Sequence, residues 1–261
     1  MTETSRAQVA SSFTIIKGAL IEECYSYLSS WDAHVSRANN LRAWTARNPN
    51  GLPTQTWIRD VAKVLNRRLD PCGRDAPLLT LAKGGCNLEE WKPLLLWHMT
   101  RDEFLVRDFL VTWLFEKFEA GAFRIRSEDV EEFLASIGQR GATTEHAWSE
   151  STTKRVAAGL LKIAVDFGFL RGSLAKEFAS FHLPERSFLY LVHAMRDAKL
   201  NPGKLVTCPE WRLFMMRPAD VEHELLRLHQ YRKLDYQVAG SLAQLTLPCS
   251  TAAEYARSMV A

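Results

Sequence analysis

Apolar residues recur along most of this chain at steps of three and four, the spacing that gives a helix one buried face. That pattern predicts a first helix over residues 16–31 and a second over 37–47, ended by the turn sequence NPNG at 48–51. A third helix opens at Leu52 and Pro53 and buries Trp57, Ile58, Val61, Val64, Leu65 and Leu69. Proline suits a first helical turn because its missing N–H has no intrahelical partner there. The other side of this helix carries Arg59, Lys63 and Arg67 at steps of four, with Arg68 beside them, and predicts one cationic ridge. Residues 70–87 are rich in proline and glycine and read as a loop-bearing connection, which divides the chain into helical subdomains at 1–86 and 87–261. Helices follow over 88–99 and 101–119. In the second of these, ten apolar residues between Phe104 and Phe118 leave only a narrow polar stripe of Asp108, Thr112 and Glu116, as in a central helix enclosed on most sides. Strand signals are few: one around 13–16, a pair around 169–171 and 177–181, and a pair at 235–239 and 242–247 joined at Gly240 and Ser241. The fold class is mainly α, with small β-hairpins.

Residues 127–182 hold the most informative pattern. Ser127, followed by Glu128, Asp129 and the stripe Val130, Phe133, Leu134 and Ile137, predicts a short helix with a capped, negatively charged first turn, and Gly138 ends it. After a polar loop, WSESTTKRVAAGLLKIAVDFGFL (148–170) predicts a second helix capped by Ser149 or Ser151 and closed by Gly168. A hairpin with its tip near Gly172 and Ser173 comes next. Helix, turn, helix, hairpin is the order of a winged helix-turn-helix, in which the second helix enters the major groove and the hairpin meets phosphates. Val156, Leu160, Ile163 and Phe167 form the packed stripe of that second helix, while Thr152, Arg155, Gly159, Lys162 and Asp166 lie opposite. Its first turn carries Ser151, Thr152, Thr153, Lys154 and Arg155, hydroxyls and cations that suit phosphate oxygens and base edges. Gly159 would admit a close backbone, and Arg171 on the hairpin would add a phosphate contact.

Charge adds a second cue to these faces. The formal net charge is only +3, yet residues 33–88 hold nine Lys and Arg against three Asp and Glu, residues 89–138 six against eleven, and residues 139–217 twelve against seven. Two cationic stretches flanking an acidic one predict a positive face on a nearly neutral molecule. The apolar runs at 94–97 and 111–115 fall far short of the roughly 20 residues a membrane crossing needs. The opening MTETSRAQVASSFTIIKG lacks the apolar stretch and cleavage site of a signal peptide. Five cysteines, odd in number and never arranged as CxxC, fit a reducing, cytoplasmic setting and no structural zinc. No P-loop, GxGxxG, HExxH or GxSxG string occurs, and His223 and His229 are six apart, off a shared helix face. No cofactor, metal or catalytic activity is expected.

The segments FTIIKGALIEE (13–23), RDEFLVRDFLVTWLFEKF (101–118) and, above all, WSESTTKRVAAGLLKIAVDFGFL resemble the BrxA family, small components of BREX bacteriophage-defence systems. The resemblance spans most of residues 13–247 and implies a helical protein with helix-turn-helix character, DNA-binding capacity, no assigned catalysis and BREX proteins as partners. The sequence thus predicts a cytoplasmic, non-enzymatic accessory subunit that binds double-stranded DNA. Ser151, Thr152, Thr153, Lys154, Arg155, Lys162 and Arg171 would form one surface, and Arg59, Lys63, Arg67 and Arg68 a second phosphate-facing one. The alternative is an interaction scaffold that docks on larger BREX subunits through an exposed patch drawn from Trp31, Trp44, Trp148 and Trp211. The sequence does not set the oligomeric state.

Overall fold

A computed structural model describes residues 9–140, 143–144, 147–198, 200–240 and 242–261. Helices α1 (Ser12–Ile16) and α2 (Ile21–Ser29) replace the single helix expected over 16–31 and the strand expected around 13–16. The break is local: Gly18 takes φ +84° and Leu20 φ +52°, and a left-handed residue cannot continue a right-handed helix. The only strand near this end is β1 (Val9–Ala10), parallel to β2 (Thr143–Thr144) among the described residues. Helix α3 (Arg37–Arg47) fills its expected span, and α4 (Gln55–Arg68) starts where the Thr54 hydroxyl accepts the Trp57 N–H at 3.1 Å.

The proline- and glycine-rich stretch is not a bare connection. It contains α5 (Ala76–Lys83), with proline in its first turn and Leu78, Leu81 and Ala82 buried against α2 and α6 (Leu88–Thr100). The long apolar segment that follows runs through α7 (Phe104–Asp108), a six-residue π-helix (Phe109–Leu114) and α8 (Phe115–Glu119). Thr112 Oγ1 donates to the Asp108 carbonyl at 2.5 Å and sits 3.2 Å from its carboxylate, so these two members of the polar stripe meet within the widened turn, while Glu116 is exposed.

Then come α9 (Ser127–Ala135), a 3-10 turn (Ile137–Arg140), α10 (Glu150–Asp166), the hairpin β3 (Leu170–Arg171) and β4 (Glu177–Phe178), α11 (Glu185–Asp197), α12 (Pro202–Val206), a 3-10 segment (Pro209–Phe214), α13 (Pro218–Gln230), the hairpin β5 (Asp235–Ala239) and β6 (Leu242–Thr246), and α14 (Ala252–Ser258). The C-terminal hairpin matches its expected strands; at its tip Gly240 has φ +61°, and Ser241 lies outside the described residues. One apolar cluster runs from Ala10 to Met259 and draws on residues both before and after position 86. Among the described residues, no helix is long and apolar enough to cross a membrane.

Where the N-terminal turn, α4, α5, α6 and α11 meet, the core carries charge. Arg68 is 1% exposed; its Nε donates to Glu103 Oε1 at 2.7 Å and its two Nη atoms to the carbonyls of Ala19 and Gly18. Beside it, Arg74 pairs with Asp75 at 3.0 Å and with Asp102. Asp75 also accepts from His98 Nδ1 at 2.8 Å, and His98 Nε2 accepts a hydrogen bond from the Tyr190 hydroxyl at 2.8 Å, the arrangement of a neutral imidazole protonated at Nδ1. Burial pushes the Asp75 carboxyl up, but His98 and Arg74 outweigh it and hold the group well below the usual carboxylate range. Burial lowers the His98 pKa, against the opposing pull of Asp75, and Arg101 and Arg74 reinforce the shift.

Candidate nucleic-acid interface

Helix α10 is the element on which most of the expected contacts depend. Ser149 caps it, accepting the Thr152 N–H at 3.2 Å, and the hydroxyls of Ser151 and Thr152 lie 3.0 Å from Ser149 Oγ. Thr153 Oγ1 donates to the Ser149 carbonyl at 3.2 Å. These hydroxyls are engaged in closing the helix end, at the positive pole of its dipole. Lys154 and Arg155 are exposed, and Lys154 bridges to Glu150 at 2.5 Å, which raises the pKa of the amine and lowers that of the carboxyl.

The packed stripe is as expected, with Val156, Leu160, Ile163 and Phe167 no more than 2% exposed. The opposite face is not open. Helix α1 lies across it, and a Cβ added at Gly159 would stand 2.6 Å from the Ile15 carbonyl oxygen. Gly159 therefore admits a close backbone, as its position suggested, but the backbone is the chain's own N-terminal helix. Asp166 accepts the Ala19 N–H at 3.2 Å, and Lys162 pairs with Asp166 at 2.9 Å. Half-buried Glu23 adjoins the same pair; burial first, then the charges of Glu22 and Asp166, raise its pKa. The C-terminal half of the outward face is thus covered or compensated, and only the first two turns and Lys162 itself reach solvent.

The hairpin is larger than the two strands expected. Ile125 bridges Lys176 in antiparallel fashion, with N–H to carbonyl distances of 2.9 and 2.8 Å, so a third edge precedes α9. Ile125 is 1% exposed while Arg124 and Arg126 on either side face solvent, as does Phe123 before them, so burial is confined to the bridge residue. The Arg171 side chain is 72% exposed and lies 3.8 Å from Glu177. Lys176 Nζ donates to the Gly172 and Ser173 carbonyls at 2.7 and 2.5 Å and fixes the turn, which holds Leu174 out at 94% exposure. Phe178 packs edge-on to Phe118 of α8 at 5.4 Å, and Phe169 packs on Phe181 at 4.7 Å, so the base of the sheet is anchored in the core. Arg124 and Arg126 escaped the sequence reading although the alternation A-F-R-I-R-S was available to reveal them.

The second expected surface is divided. Arg59, Lys63 and Arg67 are exposed on α4, but Arg68 is a core residue and faces no phosphate. It falls seven residues after Val61 and three after Leu65, on the buried stripe itself. The turn between α1 and α2 joins α4 to α10: Lys17 Nζ pairs with Asp60 at 2.6 Å, and two residues on Ala19 meets Asp166. The exposed tryptophan patch is also corrected, since Trp31, Trp44 and Trp211 are 4%, 0% and 1% exposed and only Trp148 is half-buried. The cap expected at Ser127 moves one residue, because the Asp129 carboxylate accepts the Arg126 N–H at 2.8 Å. The helices α9 and α10 pack together, but residues 136–149 separate them, a longer crossing than a tight turn.

This is a mainly helical protein with a small, cation-bearing sheet behind a capped helix. The chain belongs to the BrxA family, whose model matches residues 11–194, and is therefore a BREX-associated protein. The matched span takes in α1, the charged junction, α10 and the β3–β4 hairpin with its bridge to Ile125. No curated protein matches the chain.

Proposed function

We propose that this protein is a non-enzymatic accessory component of a BREX phage-defence system that binds double-stranded DNA with the β3–β4 hairpin, the Ile125 edge bridged to it and the first turns of α10. One observation carries the reading: Arg171 on the hairpin that follows α10, and Arg124 and Arg126 on either side of the Ile125 bridge to that hairpin, all stand exposed, with Glu177 as the ion-pair partner of Arg171. The order α9, α10, β3, β4, with the Ile125 edge before it, supports a winged-helix mode in which the hairpin meets the backbone. Closure of the Gly159 face by α1 limits groove contact to Ser151 through Arg155, so phosphate contacts dominate and sequence readout is slight.

Binding of this kind weakens with salt in proportion to the phosphates neutralised, by about 0.9 in log affinity per phosphate for each log unit of salt. A gel-shift titration over salt should give a slope of about −3 to −4. Reversing Arg124, Arg126 and Arg171 to glutamate should weaken binding roughly a hundredfold without changing the melting temperature. Lys162→Gln should change it little, because Asp166 already compensates that amine. Affinity that is flat in salt, or unmoved by the triple reversal, would rule the reading out.

A further inference from the structure

Helices α3 and α4 enclose an open groove of about 370 Å³ on the other cationic stretch of the chain. Its floor is Leu41, Ala46, Ile58 and Ala62, and Arg59 and Lys63 stand on its edge. Of the residues 37–68, Arg42, Arg47, Arg59, Lys63 and Arg67 are exposed cations, and the single acid of the span, Asp60, is already bound to Lys17 at 2.6 Å. The side chain of Arg59 bonds only weakly within its own helix, to the Gln55 carbonyl at 3.3 Å and Thr56 Oγ1 at 3.4 Å; Arg47 does the same with the Ala43 carbonyl at 3.3 Å. Arg42, exposed on α3, reaches Asn39. Lys63 lies 3.9 Å from the shared Asp60.

We infer that this groove is a docking site for an acidic amphipathic helix of a partner protein. Two features together select that occupant. The cations call for an anionic guest, which nucleic acid would also satisfy, but a phosphodiester backbone gains nothing from a floor of alkyl side chains. An amphipathic helix meets both demands, with a leucine-type stripe against Leu41 and Ile58 and carboxylates toward Arg59 and Lys63. Ala46 and Ala62 leave the space that lets a third helix axis come within the usual packing distance of about 8–10 Å. The lining of α4 runs from Gln55 to Asn66, about 16 Å of helix, which matches three turns of a guest. This site stands apart from the DNA reading, which rests on the sheet and α10.

The test uses the full chain and fluorescence anisotropy with three labelled probes: a peptide of about 14 residues with leucine at i, i+3, i+4 and i+7 and glutamate on the other face, its composition-matched scramble, and a DNA duplex. The amphipathic peptide should bind roughly tenfold more tightly than the scramble. Ala46→Gln, an exposed, uncharged, helix-compatible change that fills the groove, should weaken the peptide roughly tenfold and leave the duplex unmoved. Arg59→Glu with Lys63→Glu should abolish peptide binding. Equal binding of the two peptides, insensitivity to Ala46→Gln, or loss of duplex binding from the same substitutions would overturn the assignment, the last in favour of DNA at this surface.

Discussion

The cations of this chain occupy two contrasting regions. At the junction of the N-terminal turn with α4, α5 and α6, Arg68 and Arg74 are matched with Glu103, Asp75 and Asp102, and most of these groups are removed from water. At the sheet and the start of α10, Arg124, Arg126, Arg155 and Arg171 project into solvent. Charge in the first region holds elements together, since a desolvated pair cannot lose one member without leaving the other uncompensated. In the second it contributes little to stability, because exposed pairs are screened, and it remains available to a ligand. A running tally of Lys and Arg counts both alike, and so places Arg68 beside Arg67 when one is core and the other surface.

The contrast is tested most severely at Arg68. Arg68→Ala removes three bonds and strands Glu103, and should destabilise the protein by about 3–5 kcal/mol in urea denaturation, whereas Arg171→Ala should fall within about 0.5 kcal/mol. A loss at Arg68 of less than about 1 kcal/mol would show that the junction is not held by charge. Next in size is the closed face of α10. Gly159→Val drives a methyl group into the Ile15 carbonyl and should cost about 1–3 kcal/mol, while Ala158→Gln one residue earlier, exposed, should be close to neutral. Equal effects at the two positions would mean that α1 does not seat there.

The smallest effect is a pH dependence to which the junction contributes through His98, and buried His193 of α11, its pKa lowered by burial, adds in the same direction. His98 has a lowered pKa in the fold, so between its folded value and the unfolded value of about 6.5 the unfolded chain binds the extra proton. Stability is full above about pH 6.5 and declines as pH falls through that window; Asp75, held low, adds its own loss only below about pH 4. Melting temperatures followed from pH 7.5 to 5 should slope downward in the native protein and less steeply in His98→Gln, the remaining slope coming from His193. A native profile flat over that range would mean that neither imidazole is held neutral by burial.

Much of this was legible in the sequence, for reasons that differ by residue. The spans of α3 and α10, the buried stripe from Val156 to Phe167 and the Ser149 cap follow from periodicity and capping alone, because they are local. Helix α5 was hidden by its surroundings: proline and glycine at 71–77 and 84–85 read as loop, although proline at a first turn is a helix signal. The break at Gly18 and Leu20 has little local signature, since leucine rarely takes positive φ; the turn is held by partners far along the chain, the Arg68 guanidinium and the Asp166 carboxylate. The open face of α10 was misjudged for the same reason. Its apolar stripe predicts what one side buries but not that α1 closes the other.

That turn also sets an order of events in the cell. Residues 12–20 are synthesised before their seats on α4 and α10, the Asp166 carboxylate following Ala19 by 147 residues and the β2 partner of β1 nearly as late. Helix α1 makes its most extensive packing against α10, so it is made well before its main seat and settles late. A chain truncated before residue 150 should leave the Ile15 face open to solvent, and completion of α10 is the step that closes it.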